Sequence, residues 1–132
     1  MKDYTIIGKL NLKSIGNYRT KIVTDDVILT NERLNEHILV YHSKDYEELK
    51  DYLKIIVEEP DYVLEDISSL NTLILLKNIN EVDKQARVVI KLATEPYNEP
   101  YTKNSIITLM RQRSKSYLQT LKNKGKIIFA KN

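Results

Sequence analysis

The chain has 132 residues, 42% of them hydrophobic and 30% charged, the balance of a soluble globular protein with one compact domain. It contains no cysteine, which excludes disulfides and thiolate metal sites. The net charge is only +3, and there is no charged-then-apolar leader and no apolar run of about 18 residues. We therefore expect no export, no membrane insertion and a cytoplasmic location.

The charges are unevenly distributed along the chain. Residues 100–132 contain eight Lys/Arg and no Asp or Glu, residues 25–99 contain eight against 17, and residues 1–24 contain five against one. One interpretation is a solvated surface with chance clustering. The other is a basic face that receives phosphates.

The first half of the chain is predicted to hold short strands followed by two helices. Residues 4–24 are predicted as strand pieces, and residues 27–29 as a further strand. A first helix follows, capped by Thr30 or Asn31, and a second starts at Ser43 or Asp45 and runs until Pro60 stops it. The second helix carries an apolar stripe of Tyr46, Leu49, Leu53 and Ile56.

After Pro60 the apolar period changes to two, which predicts an antiparallel meander. Its strands are residues 62–67, 72–79, 87–93 and 104–112, followed by a short helix from Ser114 and a last strand, 126–130. We therefore predict an α+β fold in which N-terminal helices pack on a four- or five-stranded antiparallel sheet. Residues 1–132 would form a single domain, with a core of residues 25–130 and an N-terminal extension of residues 1–24.

His37 and His42, the two histidines of the chain, both fall near the first predicted helix. Histidine has the unperturbed pKa nearest to neutral pH, so any proton transfer would use these residues. Arg33 shares a helix face with His37. The histidines are five residues apart, about 140° round a helix. Two histidines that bind one zinc ion from the same helix are three or four residues apart, so this spacing does not predict a zinc site. We therefore expect no metal and no cofactor. The first helix carries its own apolar stripe of Leu34, Ile38 and Tyr41. The alternatives are a partly buried His37 on this stripe and a His42 that interacts with the helix dipole.

The predicted sheet offers further polar candidates. Arg87 and Lys91 project from one face of their strand, where Lys91 either lines a cleft or faces solvent. Ser105 and Thr108 lie on opposite faces of a straight strand, so only one can join Lys91 unless a β-bulge re-aims the other. Either hydroxyl could equally be an ordinary half-buried strand position. With the histidines, these residues suit phosphodiester cleavage, which needs a base, an acid and cations.

Several short motifs follow one another along the chain. They are Val27-Ile-Leu-Thr30, Arg33-x-x-x-His37-Ile38, His42, Pro60-Asp61, Val88-Val-Ile-Lys91 and Asn104-Ser-Ile-Ile-Thr108. In order and spacing they resemble the phage-type nuclease domains of the barnase–EndoU–colicin–RelE superfamily over about residues 25–130. The resemblance implies a barnase/RelE-like fold and active positions at His37, Lys91 and Thr108, with His42, Arg33 and Ser105 as further candidates.

We therefore predict a metal-independent endoribonuclease of phage or mobile-element type, which leaves a 2′,3′-cyclic phosphate. His37 would be the principal base or acid with His42 as its partner, Lys91 and Arg33 would stabilise the phosphorane, and Thr108 would position the phosphate. The predicted substrate-binding residues are Ser105, Arg87, Arg111, Arg113 and Lys115. The expected partner is RNA, and an antitoxin, an immunity protein or phage proteins are further candidates. The alternatives are a non-catalytic binding or structural module that retains the nuclease fold, and a toxin controlled by an antitoxin.

Overall fold

The computed structural model of the chain describes residues 3–79, 84–94, 103–112 and 125–131. These residues form one seven-stranded sheet in the order β1-β2-β6-β5-β4-β3-β7. The strands are β1 (Tyr4–Lys9), β2 (Asp26–Thr30), β3 (Tyr62–Asp66), β4 (Thr72–Ile79), β5 (Lys84–Lys91), β6 (Asn104–Gln112) and β7 (Gly125–Ala130).

Two helical segments connect β2 to β3. The first, α1, covers residues 31–41 as Asn31–Arg33, a π-helical turn Leu34–Ile38, and Leu39–Tyr41. The second, α2, covers residues 43–58 as Ser43–Leu49, a 3₁₀ turn Lys50–Tyr52, and Leu53–Glu58. The Thr30 hydroxyl accepts a hydrogen bond from the Arg33 backbone N–H at 3.0 Å, so it caps α1. In the described ranges, no helix has the length and apolarity needed to cross a lipid bilayer.

The predicted fold class is wrong. We expected N-terminal helices on a four- or five-stranded antiparallel sheet, but the sheet has seven strands and the helices follow β2. The sheet is mixed, because β2 and β6 run parallel while the other neighbouring strands are antiparallel. The physical reason is that apolar periodicity identifies a strand but does not specify its partner or its direction.

The positions of individual elements are mostly confirmed. The predicted strand 104–112 is β6, and the strands predicted from residues 62, 72 and 87 overlap β3, β4 and β5. The two predicted helices and the end of the second near Pro60 are confirmed as well. The helix predicted from Ser114 lies outside the described residues.

Both helical segments pack on one side of the sheet, here called the helix face. Ile38 from α1 and Leu49, Leu53 and Ile56 from α2 are buried there. Their partners in the sheet include Val27, Leu29, Val63, Leu73, Leu75, Val88, Ile90, Ile106 and Leu109. The opposite side, here called the second face, carries a smaller cluster of Leu64, Ile74, Leu76 and Val89.

Residues of the N-terminal extension belong to the helix-face core. Leu10 and Ile15 are buried in it, and Tyr18 packs against it. Burial raises the pKa of Tyr18, and a hydrogen bond to Glu65 on β3 raises it further. The extension therefore runs from β1 at one edge of the sheet to β3 near the other edge, and it covers one end of the core.

Asn104, at the start of β6, is a fully buried polar residue whose side chain forms hydrogen bonds with three backbone groups. Its Oδ1 accepts a hydrogen bond from the Ala93 N–H at 2.9 Å. Its Nδ2 donates to the carbonyl oxygens of Thr24, at 2.7 Å, and Asp26, at 2.9 Å. One side chain therefore satisfies buried backbone groups beside the parallel β2–β6 junction.

We predict that Asn104→Leu lowers the free energy of unfolding by about 2–5 kcal/mol, because three backbone groups lose their partner while the branched side-chain shape is kept. Urea denaturation followed by circular dichroism measures this. The matched control is Ser105→Ala, which removes a half-exposed hydroxyl that donates to the Lys103 carbonyl at 3.2 Å. We expect the control to cost less than about 1 kcal/mol. Equal unfolding midpoints for Asn104→Leu and the wild type would contradict the structural role of the amide.

Candidate functional site

His37 lies inside the π-helical turn of α1. In this turn the Leu39 N–H donates to the Leu34 carbonyl, five residues back, instead of the usual four. Single π-helical turns are rare and are frequently found at functional sites. The turn also changes the angular relation between side chains that a regular helix would have.

The two imidazoles lie close together. Their ring centroids are 5.9 Å apart, although a regular helix would place the residues about 140° apart. His42 stands at the corner between α1 and α2, with φ −138° and ψ 32°. Its carbonyl accepts a hydrogen bond from the Tyr46 N–H at 2.8 Å, in the first turn of α2. The π-helical turn and this corner together bring His37 and His42 to one place.

Asp45, in the first turn of α2, lies beside His42. Its Oδ2 is 3.9 Å from His42 Nδ1, which is too long for a hydrogen bond but short for an electrostatic contact. Its Oδ1 is 3.6 Å from Arg111 Nε on β6. Asp45 therefore lies between His42 and Arg111. Sequence reasoning missed Asp45, although its position three residues after His42 at a helix start was visible.

Arg111 connects β6 to α2. Its side chain is 11% exposed and forms ion pairs with Asp45 and Glu48, the latter through a hydrogen bond from Nη1 to Oε2. We predicted Arg111 as a phosphate-binding residue, but two carboxylates of the same chain engage its charge. Arg113 and Lys115, predicted for the same role, lie outside the described residues.

Arg33 and Tyr41 lie four residues before and four residues after His37 in α1. Arg33 is half-buried one helical turn before His37, and it makes no ion pair with any residue that the structure describes. The Tyr41 ring centroid is 5.4 Å from that of His37. Sequence reasoning assigned Tyr41 to the buried apolar stripe, but it is 71% exposed. We call Arg33, His37, Tyr41, His42 and Asp45 the histidine site.

The remaining predicted residues lie on the second face of the sheet. The register shifts between Val89 and Ile90, so that Lys91 is paired with Ser105 and Val89 with Thr108. This shift is the β-bulge that the sequence left open as an alternative. Strand alternation places Arg87 on the same side as Lys91. The bulge therefore does align both hydroxyls with Lys91.

Local contacts engage most of these side chains. Lys91 Nζ donates to the Leu70 carbonyl, the Ser105 hydroxyl donates to the Lys103 carbonyl, and Arg87 Nη1 lies 3.7 Å from Met110 Sδ. The Thr108 hydroxyl is buried without a hydrogen-bond partner among the described residues. The structure thus forms two groups of predicted residues, one on each face, and the sheet separates them.

No family model, curated protein or solved structure matches the chain. Within the described ranges, no three His, Cys, Asp or Glu side chains are grouped so that they could hold a metal ion. We base the proposed function on the geometry of the histidine site.

We predict that Arg111→Met lowers the free energy of unfolding by about 1–3 kcal/mol, because it leaves Asp45 and Glu48 without their cation. The value is below that of a fully buried pair because both carboxylates are partly exposed, at 22% and 30%. Urea denaturation measures the change. Arg111→Lys keeps the positive charge but removes the planar guanidinium, which can donate to both carboxylates. We therefore expect an intermediate loss of unfolding free energy. A Met variant as stable as the wild type would show that these ion pairs contribute nothing.

Proposed function

We propose that the histidine site cleaves RNA by attack of a ribose 2′-hydroxyl on the adjacent phosphorus. The observation that carries this proposal is the 5.9 Å separation of the His37 and His42 rings, because one phosphodiester can contact both imidazoles at that separation. Two imidazoles supply the base and the acid that the reaction needs near neutral pH. The reaction type is the one implied by the superfamily resemblance.

One imidazole takes the proton of the 2′-hydroxyl while the bond between the 2′-oxygen and phosphorus forms. The bond between phosphorus and the 5′-oxygen breaks, and the second imidazole, protonated, gives its proton to that oxygen. The products are a 2′,3′-cyclic phosphate and a 5′-hydroxyl. Neither an oxidant nor a cofactor takes part in this step, and DNA, which lacks the 2′-hydroxyl, is not a substrate.

Arg33 is the cation that we assign to the negative charge on the phosphorane. It lies on the same helix as His37 and forms no ion pair within the described part of the chain, whereas Arg111 is engaged by two carboxylates. A cation that no carboxylate neutralises stabilises a developing anion more strongly. We assign Asp45 a positioning role, because its carboxylate lies 3.9 Å from His42 Nδ1 and attracts a protonated His42 ring electrostatically.

Lys91, Thr108, Ser105 and Arg87 have no part in this mechanism, because they lie on the second face. Of the partners predicted from the sequence, RNA is the one that the histidine site supports. An antitoxin, an immunity protein or phage proteins stay predictions.

We predict that the purified protein cleaves end-labelled RNA in the presence of EDTA and leaves 2′,3′-cyclic phosphate ends, while DNA stays intact. His37→Ala should lower the rate by roughly 10²–10⁴, the usual contribution of a general acid or base. Gel separation and mass spectrometry of the products measure both results, and circular dichroism checks that the variant is folded.

The matched control is Lys91→Ala, which removes a basic side chain on the second face. We expect its cleavage rate to equal that of the wild type. Two results would contradict the proposed mechanism: cleavage that requires a divalent ion, or a Lys91→Ala variant as slow as His37→Ala.

A further inference from the structure

Tyr41 differs from the other tyrosines that the structure describes. Tyr18, Tyr46, Tyr52 and Tyr62 pack against the two core clusters and Tyr4 is half-buried in β1, whereas Tyr41 is 71% exposed. An exposed aromatic ring leaves a large apolar surface in water, so its position needs a physical reason.

Tyr41 also ends a run of consecutive exposed apolar residues. Leu39 is 40% exposed and Val40 is 60% exposed, and both directly precede it in α1. Such a run on a surface helix exposes apolar area to water, which is unfavourable unless the run forms part of a functional surface. Here the run lies next to the histidine site, because the Tyr41 ring is 5.4 Å from that of His37.

We propose that Tyr41 stacks on an unpaired base of RNA, so that the histidine site takes single-stranded RNA and not duplex RNA. This inference rests on the proposed function for the nature of the substrate. A tyrosine ring offers an apolar face to any base, and stacking of this kind tolerates all four bases. In a duplex the neighbouring base pairs cover both faces of a base, so a surface ring cannot reach them.

The geometry links the stacked base to the reaction. In RNA the ribose and its 3′-phosphate follow directly on the base. A base stacked on Tyr41 would therefore place the next phosphodiester beside His37 and within reach of His42, whose ring is 5.9 Å from that of His37. A protein partner fits this surface less well. A stable protein interface takes about 20–30 residues a side, whereas this run has three and is flanked by the exposed charged residues Glu36 and Lys44.

The test is the affinity of the full chain for a 2′-O-methyl RNA strand, which has no 2′-hydroxyl to attack, measured by fluorescence anisotropy. We expect Tyr41→Ala to raise the Kd roughly 5- to 150-fold, the range for losing one stacked base. Tyr41→Phe should bind like the wild type, because it keeps the ring. The control is Ile67→Ala, since Ile67 is 70% exposed in the turn between β3 and β4, and it should also bind like the wild type. A duplex of the same sequence should bind weakly to the wild type.

Cleavage of an unmodified strand by the same proteins distinguishes a failure of the stacking inference from a failure of the proposed cleavage reaction. If Tyr41→Ala binds the single strand as tightly as the wild type, or if the duplex binds better, stacking is overturned even when cleavage is present. Binding that depends on Tyr41 without any cleavage would support stacking and overturn the proposed reaction. If Tyr41→Ala converts a dimer into a monomer in sedimentation runs without changing RNA affinity, the surface is a protein interface and the inference fails.

Discussion

The buried side-chain amide of Asn104 stabilises the junction between β2 and β6, and the position of the histidine site depends on this junction. Strands β2 and β6 share only two paired positions, Val27 with Asn104 and Ile28 with Ser105. So short a parallel ladder gives few backbone hydrogen bonds. The Asn104 side chain adds two, to the carbonyl oxygens of Thr24 and Asp26, and a third from the Ala93 N–H, two residues after β5. Since α1 begins directly after β2, the position of its histidines relative to the sheet follows from this junction.

The bulge in β6 determines which side chains can act together. With the register shift, Ile106, Leu109 and Arg111 lie on the helix face, and Ser105, Thr108 and Met110 lie on the second face. In a straight strand Ile106 and Arg111 would lie on opposite faces. The bulge thus gives Asp45 its arginine partner, and it also directs the Thr108 hydroxyl away from the histidines. A central sheet that is apolar on both faces keeps the two groups apart.

Much of the local structure could be predicted from the sequence, because it depends on local interactions. Pro60 ends α2, Thr30 caps α1, and alternating apolar residues define β6. The strand pairing could not be predicted, since it depends on contacts between segments far apart in the chain. The extension was predicted as short strand pieces. Tyr4–Lys9 is a strand, β1, but Leu12–Ser14 and Gly16–Thr20 form 3₁₀ turns, and Leu10 and Ile15 are buried in the core.

The grouping of the candidate side chains could not be predicted in full, because it depends on the local helix geometry and on the orientation of the sheet. The spacing of Arg33, His37 and His42 was read on a regular helix, whereas the π-helical turn and the corner at His42 bring the rings together. Lys91 and Thr108 were joined to the histidines because the expected sheet had no known orientation toward the helices. Tyr41 contacts His37 four residues before it, and Asp45 lies three residues after His42, so both contacts are local and their spacing was visible in the sequence. The ion pair between Asp45 and Arg111 is tertiary and could not be predicted from spacing.

The central claim is that RNA contacts the histidine site on the helix face and not the Lys91 group on the second face. Nuclear magnetic resonance of ¹⁵N-labelled protein titrated with the 2′-O-methyl strand tests it most directly. We expect the largest amide shift changes within residues 33–45 and around Arg111, with little change at Arg87, Lys91 and Ser105. Shift changes centred on Lys91 and Ser105, with residues 33–45 unaffected, would contradict the account.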